Sequence, residues 1–163
     1  RAMITLLLDT GIRLGELCRL ELKDIDMNAR TLTVVAFGSG RKSRPRTIPL
    51  GNVAHQALWK YFTGLSYKLR PDETVFDMTS SGIQSMLFRL KKRTGIPNVH
   101  AHRFRHTFAV QYLRNGGDIF TLKYFLGHSS LTMVQRYLHF ATSDRQAMHS
   151  KASPGDRWLQ RRR

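Results

Sequence analysis

Three groups of residues in this chain have types and spacings suited to chemistry on a phosphate. The densest is His102-Arg103-Phe104-Arg105-His106. On a helix His102 and Arg105, three apart, share a face, and His106 sits near its edge. Phe104, Phe108, Val110 and Leu113 mark that helix as mostly packed, and a packed helix carrying both Arg and His needs a partner for those charges. A phosphate is such a partner. Guanidiniums clamp its oxygens through paired hydrogen bonds at no risk of losing charge near neutral pH, and an imidazole transfers protons there. The second group is Leu126-Gly127-His128-Ser129-Ser130, followed by Thr132 and Arg136-Tyr137-Leu138-His139. The third is Thr10-Gly11-Ile12-Arg13-Leu14-Gly15-Glu16-Leu17. Each has a plainer reading: a solvated Arg, a core tyrosine, a local Arg13–Glu16 ion pair. Zinc is the rival for the first group, because His102 and His106 have the i, i+4 spacing of a metal pair. No glutamate lies between them and Cys18 is the one thiol in the chain, so no metal site is assigned.

The elements that must position these residues follow from patterning. A 163-residue chain with 41% hydrophobic residues suits one domain with a real core. Ala2 to Asp9 reads as a helix stopped at Thr10-Gly11, and a second helix runs from about Leu14 to Leu20. Arg1 to Leu8 already looks like helix interior, so an N-terminal portion of a longer protein is expected to be missing. Asp24 to Met27 alternates polar and apolar and turns at Asn28. Thr31 to Phe37 is rich in β-branched residues and reads as a strand. A basic hairpin loop covers 38–46, and Thr47-Ile48-Pro49-Leu50 is a short edge strand on its far side. Helices are expected from Asn52 to about Thr63, from a cap at Ser80 or Ser81 to about Arg93, from Arg103 to Asn115, from a cap at Asp118 to Leu126, and from Leu131 to about Phe140. Leu65 to Asp77 is a loop. The fold class is mainly α with a small three-stranded antiparallel β-sheet. Residues 1–150 form the domain proper and 151–163 a basic, mobile tail.

Charge narrows the partners. Lysine and arginine number 27 against 11 acidic residues, a formal net charge of +16. A compact domain this basic points to nucleic acid, since neutralising phosphates releases counterions. The sequence has neither an apolar run near 18 residues nor a basic amphipathic helix long enough to favour a membrane surface. One cysteine excludes an internal disulfide and fits a reducing compartment. Cys18, in helical register with Leu14 and Leu17, reads as a buried small residue. A Gly-x-x-x-x-Gly-Lys-Ser/Thr phosphate loop is absent from the sequence.

Taken together, the three groups resemble the catalytic domain of the tyrosine recombinases, the phage-integrase family. The family pattern is a Thr-Gly-x-Arg-x-x-Glu-Leu box, a basic β-hairpin bearing a lysine, a His-x-x-Arg-His box, a Leu-Gly-His box and a tyrosine nine residues after that last histidine. Here these stand as Thr10-Gly11-Ile12-Arg13-Leu14-Gly15-Glu16-Leu17, the Arg41-Lys42 hairpin, His102-Arg103-Phe104-Arg105-His106, Leu126-Gly127-His128 and Tyr137. The resemblance runs from about Ala2 to Ser143. The hairpin departs from it. Aligned from the left, Ser39 falls where the family has its catalytic lysine; aligned from the right, Arg41 does. Lys42 is the hairpin's one lysine and is assigned the role.

The resemblance implies a site-specific recombinase or integrase that cleaves and rejoins double-stranded DNA through a covalent 3′-phosphotyrosyl link, with a free 5′-hydroxyl leaving. It uses no metal, ATP or other cofactor. Tyr137 is the nucleophile, Arg13 and Arg105 clamp the phosphate, and His102 takes the tyrosine proton. Lys42 protonates the leaving oxygen, His128 donates a hydrogen bond to the phosphate, and Glu16 orients Arg13. His106 packs behind them. Arg41, Arg44 and Arg46 of the hairpin, with Lys91, Lys92 and Arg93, are the expected DNA contacts. Further implications are a homo-tetramer on DNA, an absent N-terminal core-binding domain, and a bacterial or archaeal cytoplasm, on the nucleoid when DNA-bound. Rival readings are a DNA-binding protein of this fold that has lost catalysis, a type IB topoisomerase-like relaxing enzyme, and a metal-dependent His nuclease.

Overall fold

The computed structural model describes residues 1–36, 45–141, 149 and 153–155. The architecture is helical around a small sheet. Helix α1 (Ala2–Thr10) and the short α2 (Leu14–Cys18) lead through a 3-10 turn, Leu22–Asp24, into strands β1 (Ile25–Asp26), β2 (Thr31–Val34) and β3 (Arg46–Pro49). Helices α3 (Asn52–Thr63), α4 (Ser80–Thr94), α5 (Ala101–Arg114), α6 (Ile119–Leu126) and α7 (Thr132–Ala141) follow. The sheet is antiparallel with order β1-β2-β3, and Leu32 faces both Ile25 and Ile48 across it. Leu32, Val34, Ile48 and Leu50 are buried. Each lies two residues from the next on its strand, as a sheet with one covered face requires.

Local chemistry sets most boundaries. Gly11 closes α1 in the left-handed region at φ 62, with its N–H on the Leu7 carbonyl. Asp118 caps α6 by accepting from the Phe120 and Thr121 amides. Several boundaries differ from expectation, α2 among them, which ends at Cys18. The cap of α4 is Thr79, whose hydroxyl accepts from the Gly82 amide. α3 is capped by Gly51, while the Asn52 carboxamide accepts from Arg30. α5 begins at Ala101, two residues early, so His102 lies in its first turn. Cys18 is half-buried and lies 3.4 Å from the Ser80 hydroxyl.

Two apolar clusters hold the molecule together. The larger joins α1, α2, the sheet, α3 and α4 through Leu6, Leu7, Leu17, Leu32, Leu58 and Leu87. The smaller joins α5, α6 and α7 through Phe108, Ala109, Leu122, Leu126, Val134 and Tyr137. Phe125 packs against both, and α5 lies against α1 on one side and α7 on the other. At the α1–α5 crossing a Cβ on Gly11 would stand 2.3 Å from Phe108 Cδ1. Gly11→Ala therefore meets both a positive φ and a filled site. Its expected cost is about 2–4 kcal/mol, read as a lowered denaturation midpoint in urea at unchanged m.

Candidate active site

Arg13 stands at the N-terminus of α2 in extended conformation, φ −75 and ψ 153. The Glu16 carboxylate one turn on reaches back to it. Its Oε2 accepts from the Arg13 amide at 2.8 Å and its Oε1 from Arg13 Nη1 at 3.2 Å. The Arg13 side chain remains 31% exposed while that of Glu16 is 3% exposed, so the carboxylate anchors the arginine from below and leaves its outer edge open.

Arg105 comes from α5 and is buried. Its Nη1 donates to the Gly11 carbonyl at 2.7 Å, and its Nη2 to the Leu126 carbonyl at 2.5 Å and to His128 Nε2 at 2.9 Å. These bonds use three of a guanidinium's five N–H donors. Burial, then the nearby charge of Arg13, lowers its pKa from 12.5 to about 10, still cationic at neutral pH. Because arginine only donates, His128 Nε2 must accept, which puts the ring proton on Nδ1. Nδ1 is buried and has no hydrogen-bond partner among the described residues. Burial first, then the charges of Arg105 and Arg13, hold the His128 pKa down at about 4. At neutral pH it is a neutral imidazole with one N–H to give.

Arg13, His102 and Arg105 line one cleft of about 900 Å³, together with Arg89, Lys91 and His100. His102 is exposed there. Burial, then Arg105 and His100, lowers its pKa below 6.5. Tyr137 is buried on α7 within the smaller cluster. Its ring meets that of His106 edge-on, centroids 5.4 Å apart at 87°, and it lies near enough to Arg105 to act on the guanidinium. His106 is thus a packing residue, and its partner is Tyr137. Arg136, on the preceding position and given no role by the sequence, acts through its charge on both His102 and His128.

One expected DNA contact needs correction. Arg46 is not on the surface: its side chain is 1% exposed. It makes a two-pronged ion pair with Glu16, Nη1 to Oε1 at 3.1 Å and Nη2 to Oε2 at 2.8 Å, and its Nε donates to the Phe125 carbonyl at 2.6 Å. The signal was in the pattern. Arg46, Ile48 and Leu50 occupy the same phase of an alternating strand, and all three point inward. Arg41, Lys42 and Arg44 lie outside the described residues. Lys91, Lys92 and Arg93 are exposed at the end of α4, with Lys92 Nζ 4.8 Å from the Phe88 ring centroid. Among the described residues no three His, Cys, Asp or Glu side chains are grouped to hold a metal ion, and no helix is long and apolar enough to cross a membrane.

Acid should unfold this site in two stages. Burial would raise the Glu16 pKa, but the hydrogen bonds and charge of Arg46, then those of Arg13, outweigh it and pull the value from 4.5 to about 2. Both Glu16 and His128 are depressed in the folded state, so both contribute stability at high pH that is lost as pH falls. For His128 the loss runs from 6.5 to about 4, and for Glu16 from 4.5 to about 2. Each stage is expected to remove on the order of 1–3 kcal/mol. Chemical denaturation as a function of pH checks this, and His128→Asn should erase the upper stage alone.

A mostly helical domain that joins two arginines and two histidines from separate segments beside a tyrosine defines a class, the DNA breaking-and-rejoining fold of the tyrosine recombinases. The chain belongs to the phage integrase family, whose pattern it matches over residues 1–144. It is 36% identical over 152 residues to the tyrosine recombinase XerC of Bacillus pumilus (strain SAFR-032), covering 85% of this chain and 48% of the relative. The chain spans about half the length of the curated relatives it matches. Among solved structures, XerA recombinase superposes with a TM-score of 0.77 at 33% identity, over 94% of this chain and 57% of that one. The catalytic domain of bacteriophage HP1 integrase superposes at 0.64 and 27% identity, over 94% of this chain and 81% of that one.

Proposed function

We propose that the chain is the catalytic domain of a site-specific recombinase that cuts and rejoins double-stranded DNA through Tyr137. The observation that carries this is the convergence of Arg13, His102 and Arg105 on one cleft, with His128 bonded to Arg105 and Tyr137 beside it. The phosphodiester's non-bridging oxygens gain charge as the tyrosine oxygen attacks. Arg13 and Arg105 neutralise that charge from two directions, a task other phosphoryl-transfer enzymes give to metal ions. The orphaned His128 Nδ1–H supplies a further donor.

The proton balance follows from the same groups. His102, held neutral by burial and by Arg105, accepts the phenol proton as the Tyr137 oxygen bonds to phosphorus. The bond to the 5′-oxygen breaks, and Lys42 protonates that oxygen as it leaves. A returning 5′-hydroxyl reverses the exchange, so one phosphodiester is conserved throughout and no ATP is consumed. Because the base is His102 with a depressed pKa, the acid limb of the cleavage rate should have its inflection below 6.5.

Lys91, Lys92 and Arg93 contact backbone phosphates in this reading, as do Arg41 and Arg44. Four protomers act together on paired DNA sites. Relatives solved with DNA, including a Tn1549 transposon integrase on transposon right-end DNA at 25% identity, favour a duplex partner.

The test is a nicked suicide DNA substrate incubated with the protein in EDTA. The expected product is a denaturant-resistant adduct whose DNA-linked peptide contains Tyr137, with a free 5′-hydroxyl on the released strand. A cleavage that appears only with a divalent ion, or an adduct mapped to another residue, refutes the proposal.

A further inference from the structure

Arg46 is the buried cation that this mechanism does not use. It reaches two separate parts of the site. Each Glu16 oxygen is shared between two arginines: Oε1 accepts from Arg46 Nη1 and Arg13 Nη1, and Oε2 from Arg46 Nη2 and the Arg13 amide. On its other side Arg46 Nε takes the Phe125 carbonyl, while Arg105 takes the next one, Leu126. Two guanidiniums therefore dock side by side on the C-terminal end of α6, where free carbonyls and the helix dipole favour cations. Gly127 makes room, since a Cβ there would stand 3.0 Å from Arg46 Nη1. His128 is the next residue. An apolar side chain would fill the same space with less desolvation; what a forked, planar cation adds is direction.

We propose that Arg46 is a positioning residue for phosphoryl transfer, fixing Arg13 through Glu16 and the His128 turn through Phe125 in one rigid relation. Residues from three segments of the chain, 13–16, 46 and 125–128, are thereby held as one unit. The scissile phosphate meets Arg13 and His128 already spaced for it, which is where a misplacement of about 1 Å costs about 100-fold in rate. The inference rests on the recombinase reading and adds a role for a side chain that never touches DNA.

Arg46→Lys and Arg46→Met test it by single-turnover adduct formation on two suicide substrates. One carries a normal scissile phosphodiester. The other carries a methylphosphonate there, which lacks the anionic oxygen that the arginines neutralise. Circular dichroism establishes that each variant is folded, and Arg46→Lys, which keeps the charge, carries the test if Arg46→Met does not fold. The expected result on the phosphodiester is a loss of about 10-fold for Lys and about 100-fold for Met, with DNA affinity unchanged. On the methylphosphonate the deficit shrinks to within about threefold of the unaltered chain. A folded variant slowed equally on both substrates, or on neither, overturns the positioning role while leaving the recombinase reading intact. An unaltered chain that forms no adduct overturns both.

Discussion

Tyr137→Phe should leave the chain folded and bound to DNA, yet abolish the covalent protein–DNA adduct. The substitution keeps the ring that packs among Phe108, Leu122, Leu126 and Val134 and meets His106 edge-on. Only the hydroxyl is lost, so thermal stability should change by no more than about 1 kcal/mol. Phenylalanine has no nucleophile. The adduct band on a denaturing gel should vanish while fluorescence anisotropy still reports duplex binding, with the same steep salt dependence that phosphate contacts impose. An adduct or strand cleavage that persists in this variant would sink the nucleophile assignment.

Arg105→Lys is the second large effect, and it separates catalysis from stability. The arginine bridges three acceptors at once: the Gly11 carbonyl, the Leu126 carbonyl and His128 Nε2. A lysine keeps the charge but offers a point donor on a flexible stem and cannot span them. Cleavage should fall by about 10²–10³, and some stability should go with it, because buried acceptors left without donors cost about 1–3 kcal/mol each. Arg105→Ala strands all three together. The loss then approaches the whole net stability of a domain this size, about 5–15 kcal/mol, so the alanine variant should express poorly or melt early. Single-turnover cleavage and a thermal melt on the lysine variant separate the two roles. A lysine variant cleaving within about threefold of the unaltered chain would remove Arg105 from the clamp.

His128 links these two results. Its Nε2 is committed to Arg105, so the lysine variant also frees the imidazole to change tautomer. The pH profile of Arg105→Lys should therefore shift along with its rate, as the charge that adds to burial in depressing His128 moves.

The sequence by itself determined the element order and the fold class. Gly11 ends a helix because its φ of 62 suits glycine, Asp118 opens one because its carboxylate accepts two orphan amides, and alternation over 46–50 makes a half-buried strand. Such signals act over a few residues and can be read without the fold. The spacing of Arg13 to Glu16 likewise foretold the ion pair between them. Only the tertiary structure decided that Arg46, inward by its phase on the strand, finds Glu16 there as its partner. It also decided that Arg105 closes α1 onto α6 through two carbonyls, and that Tyr137 rests against His106. These are contacts across 30, 94, 21 and 31 residues of chain. Whether a buried charge finds its partner depends on which distant segments pack together, and local patterning carries no record of that.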